Sequence, residues 1–112
     1  MTKAIVLTPE GEVTPIEYTP STALDTLQHA VDGYIETVGV TPEYSFYANE
    51  EGLLREDLIP NPVATAFYRK LGGHTPIKGT VVFVGTPDEE GDDRDVPGHV
   101  EDFLKALVAL NA

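Results

Sequence analysis

Apolar and polar residues alternate along some stretches of this chain and repeat with helical spacing along others. "KAIVLTP" (Lys3–Pro9) is rich in β-formers, and "VTPIEY" (Val13–Tyr18) alternates. A Gly turn in "EGEV" joins them as a hairpin. Pro15 cannot donate to a sheet ladder, so the second strand is expected at an edge or to carry a break. "PSTALDTLQHAVDGY" places Leu24, Leu27 and Val31 at i, i+3 and i+7, which predicts a helix. Ser21 or Thr22 is the expected cap, with Asp25 in the first turn. Gly33 is expected to end the helix in the left-handed conformation.

A strand is predicted over Tyr34–Val40 and another from about Tyr44. In the latter, Tyr44, Phe46 and Ala48 share one face, and Ser45, Tyr47 and Asn49 the other. "NEEG" (Asn49–Gly52) reads as a tight turn with positive φ at Gly52. "LLREDLIP" follows as a short strand or as a connector pinned by Leu53, Leu54, Leu58 and Ile59. In "NPVATAFYRKLGG", Asn61 is a favoured N-cap and Pro62 suits the first helical position. Val63, Ala66, Phe67 and Leu71 form the predicted apolar face, with Gly72-Gly73 as the stop. Thr80–Val84 is apolar after its threonine, as in a central strand covered on both faces. "TPDEEGDDRDVPG" is expected to be a mobile, solvated loop. From about Pro97 to Leu110, Val100, Phe103, Leu104, Leu107 and Val108 form an amphipathic stripe. The elements run ββαβββ(short)αβα. They predict one α+β domain over 1–112, with a mostly antiparallel sheet of four to six strands, about three helices and an acidic loop at about 86–96.

Composition narrows the chemistry. With no cysteine, the chain has neither disulfides nor a thiolate nucleophile. The N-terminal apolar run, Ala4–Leu7, is too short for a secretory signal, and no run approaches the roughly 18 apolar residues of a membrane span. The expected location is the cytoplasm. The net charge of -12 argues against direct binding to nucleic acid. The charge is uneven: Asp88, Glu89, Glu90, Asp92, Asp93, Asp95, Glu101 and Asp102, against Arg94 alone, give one short segment a net of -7. Such a segment is a solvated loop, a surface for a basic partner, or a mark of a generally acidic proteome. Asp88, Glu89, Glu90, Asp92, Asp93 and Asp95 are therefore the candidate partner-binding residues.

Catalytic motifs are not found. "VVFVGTPDEEG" resembles the acidic metal-binding segment of zinc peptidases of the aminoacylase type. The chain has no His-x-Asp, however, and His29, His74 and His99 are isolated. A calcium loop counted from Asp88 would need Gly at its sixth position, which is Asp93. Neither a P-loop nor a G-x-G-x-x-G is present. No catalytic residue, metal or cofactor is expected.

"KAIVLTPEGEV", the helix before "GYIE", the strand into "NEEG", then "NPVATAFYR" and "KGTVVFVG" together resemble the domain of unknown function numbered 3846. The resemblance spans about residues 3 to 85. It implies a setting in actinobacterial chromosomes, plasmids and phages, and small accessory proteins without catalytic machinery. It also implies recurrent polar positions at Asn49, Glu50, Glu51, Gly52, Asn61, Ala64, Thr65 and Gly79. Asn49, Glu50, Asn61, Thr65 and Tyr68 are candidate ligand-binding residues if the turn packs near the helix start, since a helix N-terminus attracts anions. The alternative is that they only serve turns and caps.

Two functions thus compete with an enzyme of unseen type. The first is an accessory protein that binds, and in one version inhibits, a host protein through its acidic surface. The second is a binder of a small anionic ligand or nucleotide at the Asn61 helix start. Pro15 and the apolar C-terminal helix leave a homodimer open.

Overall fold

Alternation along the strands decides which side chains face which layer. A computed structural model describes residues 1–39 and 41–110. Its strands are β1 (Thr2–Leu7), β2 (Val13–Tyr18), β3 (Ile35–Gly39), β4 (Tyr44–Asn49) and β5 (Val81–Gly85). Its helices are α1 (Ala23–Val31), α2 (Pro62–Lys70) and α3 (His99–Leu110). The strands form one antiparallel sheet in the order β2-β1-β5-β4-β3, and the fold is α+β.

All five residues of β5 are buried, as its unbroken apolar run requires of a central strand. Val81 and Phe83 face one way, with Ile5, Leu7, Phe46 and the buried faces of α2 and α3. Val82 and Val84 face the other way, with Ala4 and with Leu27 and Val31 of α1. Two helices thus cover one face and one the other. Each fully buried Val, Leu or Phe contributes about 1.5–3 kcal/mol. β2, with Pro15, is an edge strand as expected. The Tyr44–Asn49 faces also fall as predicted, with Tyr44, Phe46 and Ala48 in the α2/α3 layer and Tyr47 in the α1 layer.

Several boundaries differ from expectation. No short strand forms in "LLREDLIP". The amides of Leu54 and Arg55 both bond back to the Glu51 carbonyl at 2.9 Å, which curls the segment. Leu53, Leu54 and Ile59 are exposed instead of pinning it, and only a single bridge, Pro60 to Lys78, remains. Thr22 occupies the N-cap of α1 without a side-chain cap bond. Its hydroxyl instead accepts from the Thr19 amide at 3.1 Å. Asp32, not Gly33, takes the left-handed position after α1, with φ 61°. A Cβ on Gly33 would sit 2.6 Å from Asn49 Nδ2, so close approach explains that glycine. In α2, Ala64 is buried in place of the expected Ala66 and Leu71. The helix ends at Lys70, and Leu71 turns outward. The predicted end of β3 at Val40 lies outside the described residues.

Gly52 does not have positive φ. Its amide bonds the Asn49 carbonyl at 3.1 Å, so it is the fourth residue of a turn whose central pair is Glu50-Glu51. Glycine is favoured at that place in a type I turn without needing a left-handed backbone. The Asn49 carbonyl, which a Cβ would approach to 3.2 Å, keeps the site tight.

Candidate functional site

The polar residues singled out in the sequence occupy separate joints. Asn61 caps α2 as predicted, accepting from the Ala64 amide at 3.1 Å. It is completely buried, and its Nδ2 donates to the carbonyls of Leu7 (3.2 Å) and Gly79 (3.0 Å). One side chain thus ties α2 to the end of β1 and to the segment leading into β5. Thr65 stands a turn later. Its hydroxyl lies within bonding distance of the Asn61 and Ile77 carbonyls (2.8 and 3.2 Å) and accepts from the Ile77 amide at 2.9 Å. Asn49, also buried, donates to the carbonyls of Val31 and Asp32 and accepts from the Glu51 amide at 2.8 Å.

Asn49 and Glu50 line a small cavity of about 120 Å³ with Ile77 and Lys78. Asn61, Thr65 and Tyr68 do not line it. Tyr68 packs where a Cβ on Gly73 would meet its ring at 2.3 Å. Glu50 is exposed, and its amide bonds the Tyr34 carbonyl at 2.9 Å. The five residues therefore do not converge on one cavity. At the start of α2, the amides of Ala64 and Thr65 are already taken by Asn61, through its side chain and its carbonyl. Among the described residues, no buried side-chain nitrogen or oxygen lacks a hydrogen-bond partner.

The acidic segment is more ordered than its composition suggests. Beyond β5 the chain leaves the sheet and returns alongside it. Gly85 N–H bonds the Arg94 carbonyl at 3.0 Å, and Arg94 N–H bonds the Thr86 carbonyl at 3.3 Å. Val96 N–H then bonds the Lys3 carbonyl at 2.9 Å, and Lys3 N–H bonds Asp95 Oδ1 at 2.8 Å. Residues 94–96 thus bond both β1 and the end of β5. Gly85 permits this, because a Cβ there would lie 2.4 Å from the Asp95 carbonyl oxygen. At the tip, Asp88 Oδ1 accepts from the amides of Glu90 (2.9 Å) and Asp92 (3.0 Å). Charge density made the segment look mobile, but backbone pairing and an Asx-type turn hold it.

Asp93 is the main side-chain anchor. Its carboxylate accepts from the Tyr18 hydroxyl at 2.8 Å and from the Tyr47 hydroxyl at 3.0 and 3.1 Å. Burial, then the bond to Asp93, pushes the Tyr18 phenol far above its ordinary value. Burial and the Asp93 charge push Tyr47 up to about 12. Both therefore remain protonated donors at neutral pH. Of the six predicted partner-binding acids, Asp88, Asp93 and Asp95 serve the loop itself. Glu89 and Glu90 are exposed at the tip, and Asp92 is half-buried. The side chains of these three make no hydrogen bond or ion pair among the described residues.

A cleft of about 220 Å³ opens beside this anchor. Leu24 and Leu27 of α1 form part of its wall, and Tyr18, Tyr47, Asp92 and Asp93 line it elsewhere. The tyrosines were not singled out in the sequence. Alternation puts Tyr47 on the face opposite Phe46, but only the return of the loop brings Asp93 to it. Among the described residues, no group of three or more His, Cys, Asp or Glu side chains is poised to hold a metal ion. Nor is any described helix long and apolar enough to cross a membrane.

No curated protein and no solved structure matches the chain. A family model matches residues 1–108, so the match runs beyond the expected 3–85, through the acidic loop and into α3. The chain belongs to the family described as Domain of unknown function (DUF3846).

Proposed function

We propose that this chain is a non-enzymatic binding protein of the cytoplasm, a phage or mobile-element accessory factor that engages a host protein with a basic surface. The observation that carries the reading is the ordered acidic loop. Asp93 under Tyr18 and Tyr47, with the backbone bonds of residues 94–96, holds Glu89, Glu90 and Asp92 in a set arrangement. A preorganised charged surface loses less entropy on binding than a mobile one. Long-range charge acts chiefly on the encounter rate. The small-ligand alternative at the α2 start has less support, because Asn61 and Thr65 spend their polar atoms on the protein's own backbone.

An octalysine peptide tests the reading through association kinetics at low and moderate salt. Association should slow as salt rises, since exposed charges are screened beyond about 10 Å at 0.1 M. It should slow further in the Glu89→Gln/Glu90→Gln variant. Glu10→Gln/Glu12→Gln, at the opposite end of β1, makes the same change in net charge and should have the smaller effect. Equal effects from the two pairs would mean that the loop is not the binding face.

A further inference from the structure

Leu24 is the starting observation. It belongs to the same helical stripe as Leu27 and Val31, which are 2% and 0% exposed, yet Leu24 is 57% exposed. The protein's own core does not cover it, and it stands on the wall of the 220 Å³ cleft. Elsewhere the cleft is lined by Asp92, Asp93 and the two tyrosines, and no lysine or arginine lines it. Apolar surface and unneutralised carboxylates thus share one cleft of side-chain size.

That combination suits a group with an apolar stem and a cationic head. A lysine or arginine side chain buries its methylenes while its charged end seeks acceptors. Two features select between them. Asp93 takes two phenol donors, and a carboxylate has about four acceptor positions, so acceptor capacity remains on Asp93, and Asp92, whose carboxylate makes no hydrogen bond, lines the same cleft. Carboxylates that share a cleft with aromatic rings suit the planar fork of a guanidinium, which also stacks on such rings, better than a compact ammonium. We propose that the cleft between α1 and the acidic loop is a socket for an arginine side chain of the protein partner. This rests on the basic-partner reading above and adds the residue type and the place where it docks.

The full-length chain, titrated with octaarginine and octalysine peptides at moderate salt, provides the test. The wild type should bind octaarginine about tenfold more tightly than octalysine, the scale of one well-made charged hydrogen-bond pair. Asp92→Asn and Leu24→Ser should each remove most of that preference. Leu24 is exposed and the Asp92 carboxylate makes no bond, so both variants should fold, which thermal unfolding checks. Glu89→Gln/Glu90→Gln should weaken both peptides alike and leave the preference intact. Equal affinity for the two peptides, or a preference that survives both cleft substitutions, overturns the socket and leaves the acidic-surface reading standing. Absence of binding by either peptide overturns both.

Discussion

Asn61→Asp separates a cap from a staple. On an isolated helix, aspartate caps about as well as asparagine, and losing the cap altogether costs about 1 kcal/mol. If capping were the only role, Asn61→Asp would be neutral and Asn61→Ala mild. The structure predicts otherwise. Asn61 is 0% exposed, and its Nδ2 serves two carbonyls, those of Leu7 and Gly79. Each carbonyl deprived of its donor in a buried site costs about 1–3 kcal/mol. With the lost cap, Asn61→Ala should destabilise by about 3–7 kcal/mol, a large part of the roughly 5–15 kcal/mol that holds a domain together. Asn61→Asp keeps the oxygen facing Ala64 but points a second oxygen at two carbonyl oxygens. It must hold a buried charge there or take up a proton, so it should cost at least as much as alanine. Urea unfolding followed by circular dichroism gives both values. An aspartate variant within about 1 kcal/mol of wild type would refute the staple and leave a simple cap.

Three further expectations follow from the same bonds. Gly85→Ala puts a Cβ against the Asp95 and Arg94 carbonyls, at 2.4 and 2.8 Å, and should cost about 1–3 kcal/mol by thermal or urea unfolding; wild-type stability would mean that the loop does not lie against β5. Thr65→Val removes the acceptor of the Ile77 amide and should cost about 1–3 kcal/mol, whereas a neutral result would make the hydroxyl dispensable. Tyr47 ionises near 12 in the folded chain and near 10 in the unfolded one, so the folded state keeps the proton that the unfolded state loses. Its contribution is full below pH 10 and should fall between the two values by less than about 1.4 kcal/mol per pH unit, because solvent screens the partly exposed phenol. The difference between wild type and Tyr47→Phe in alkaline urea unfolding isolates it, and parallel pH profiles would contradict it.

The sequence showed most of the framework because its signals are local. The unbroken Val81–Val84 run marked the central strand, Asn61-Pro62 marked the start of α2, and Pro15 marked an edge. Where it misled, either a local stretch admitted more than one backbone path or the deciding contacts were distant. "LLREDLIP" allowed a short strand or a connector, and the Leu54 and Arg55 amides, turning back to Glu51, make it a connector. Gly52 looked like a left-handed position because glycine often is one, yet its place at the fourth turn residue needs none. The polar set at Asn49, Asn61 and Thr65 could be read as a site or as joints. Their partners, 12 to 54 residues away, put each of them at a joint of the fold, which the sequence does not show. The acidic segment was visible as charge but not as structure. Its anchor joins Asp93 to Tyr18 and Tyr47, 75 and 46 residues distant, and local composition carries no trace of that.

Amide hydrogen exchange across residues 86–98 tests most directly whether the acidic segment is a held surface. The Arg94 and Val96 amides, bonded to Thr86 and Lys3, should exchange slowly, as β5 does. The Asp92 amide, bonded at the tip by Asp88, should show weaker but measurable protection. In Asp93→Asn, where the Tyr18 and Tyr47 hydroxyls lose their charged acceptor, protection at Arg94 and Val96, and at Gly85, whose amide bonds the Arg94 carbonyl, should drop while that of Val82, Phe83 and Val84 in β5 stays. Exchange of Arg94 and Val96 at the rate of an unstructured peptide in the wild type would contradict the account, leaving a mobile acidic tether in place of a preorganised binding face.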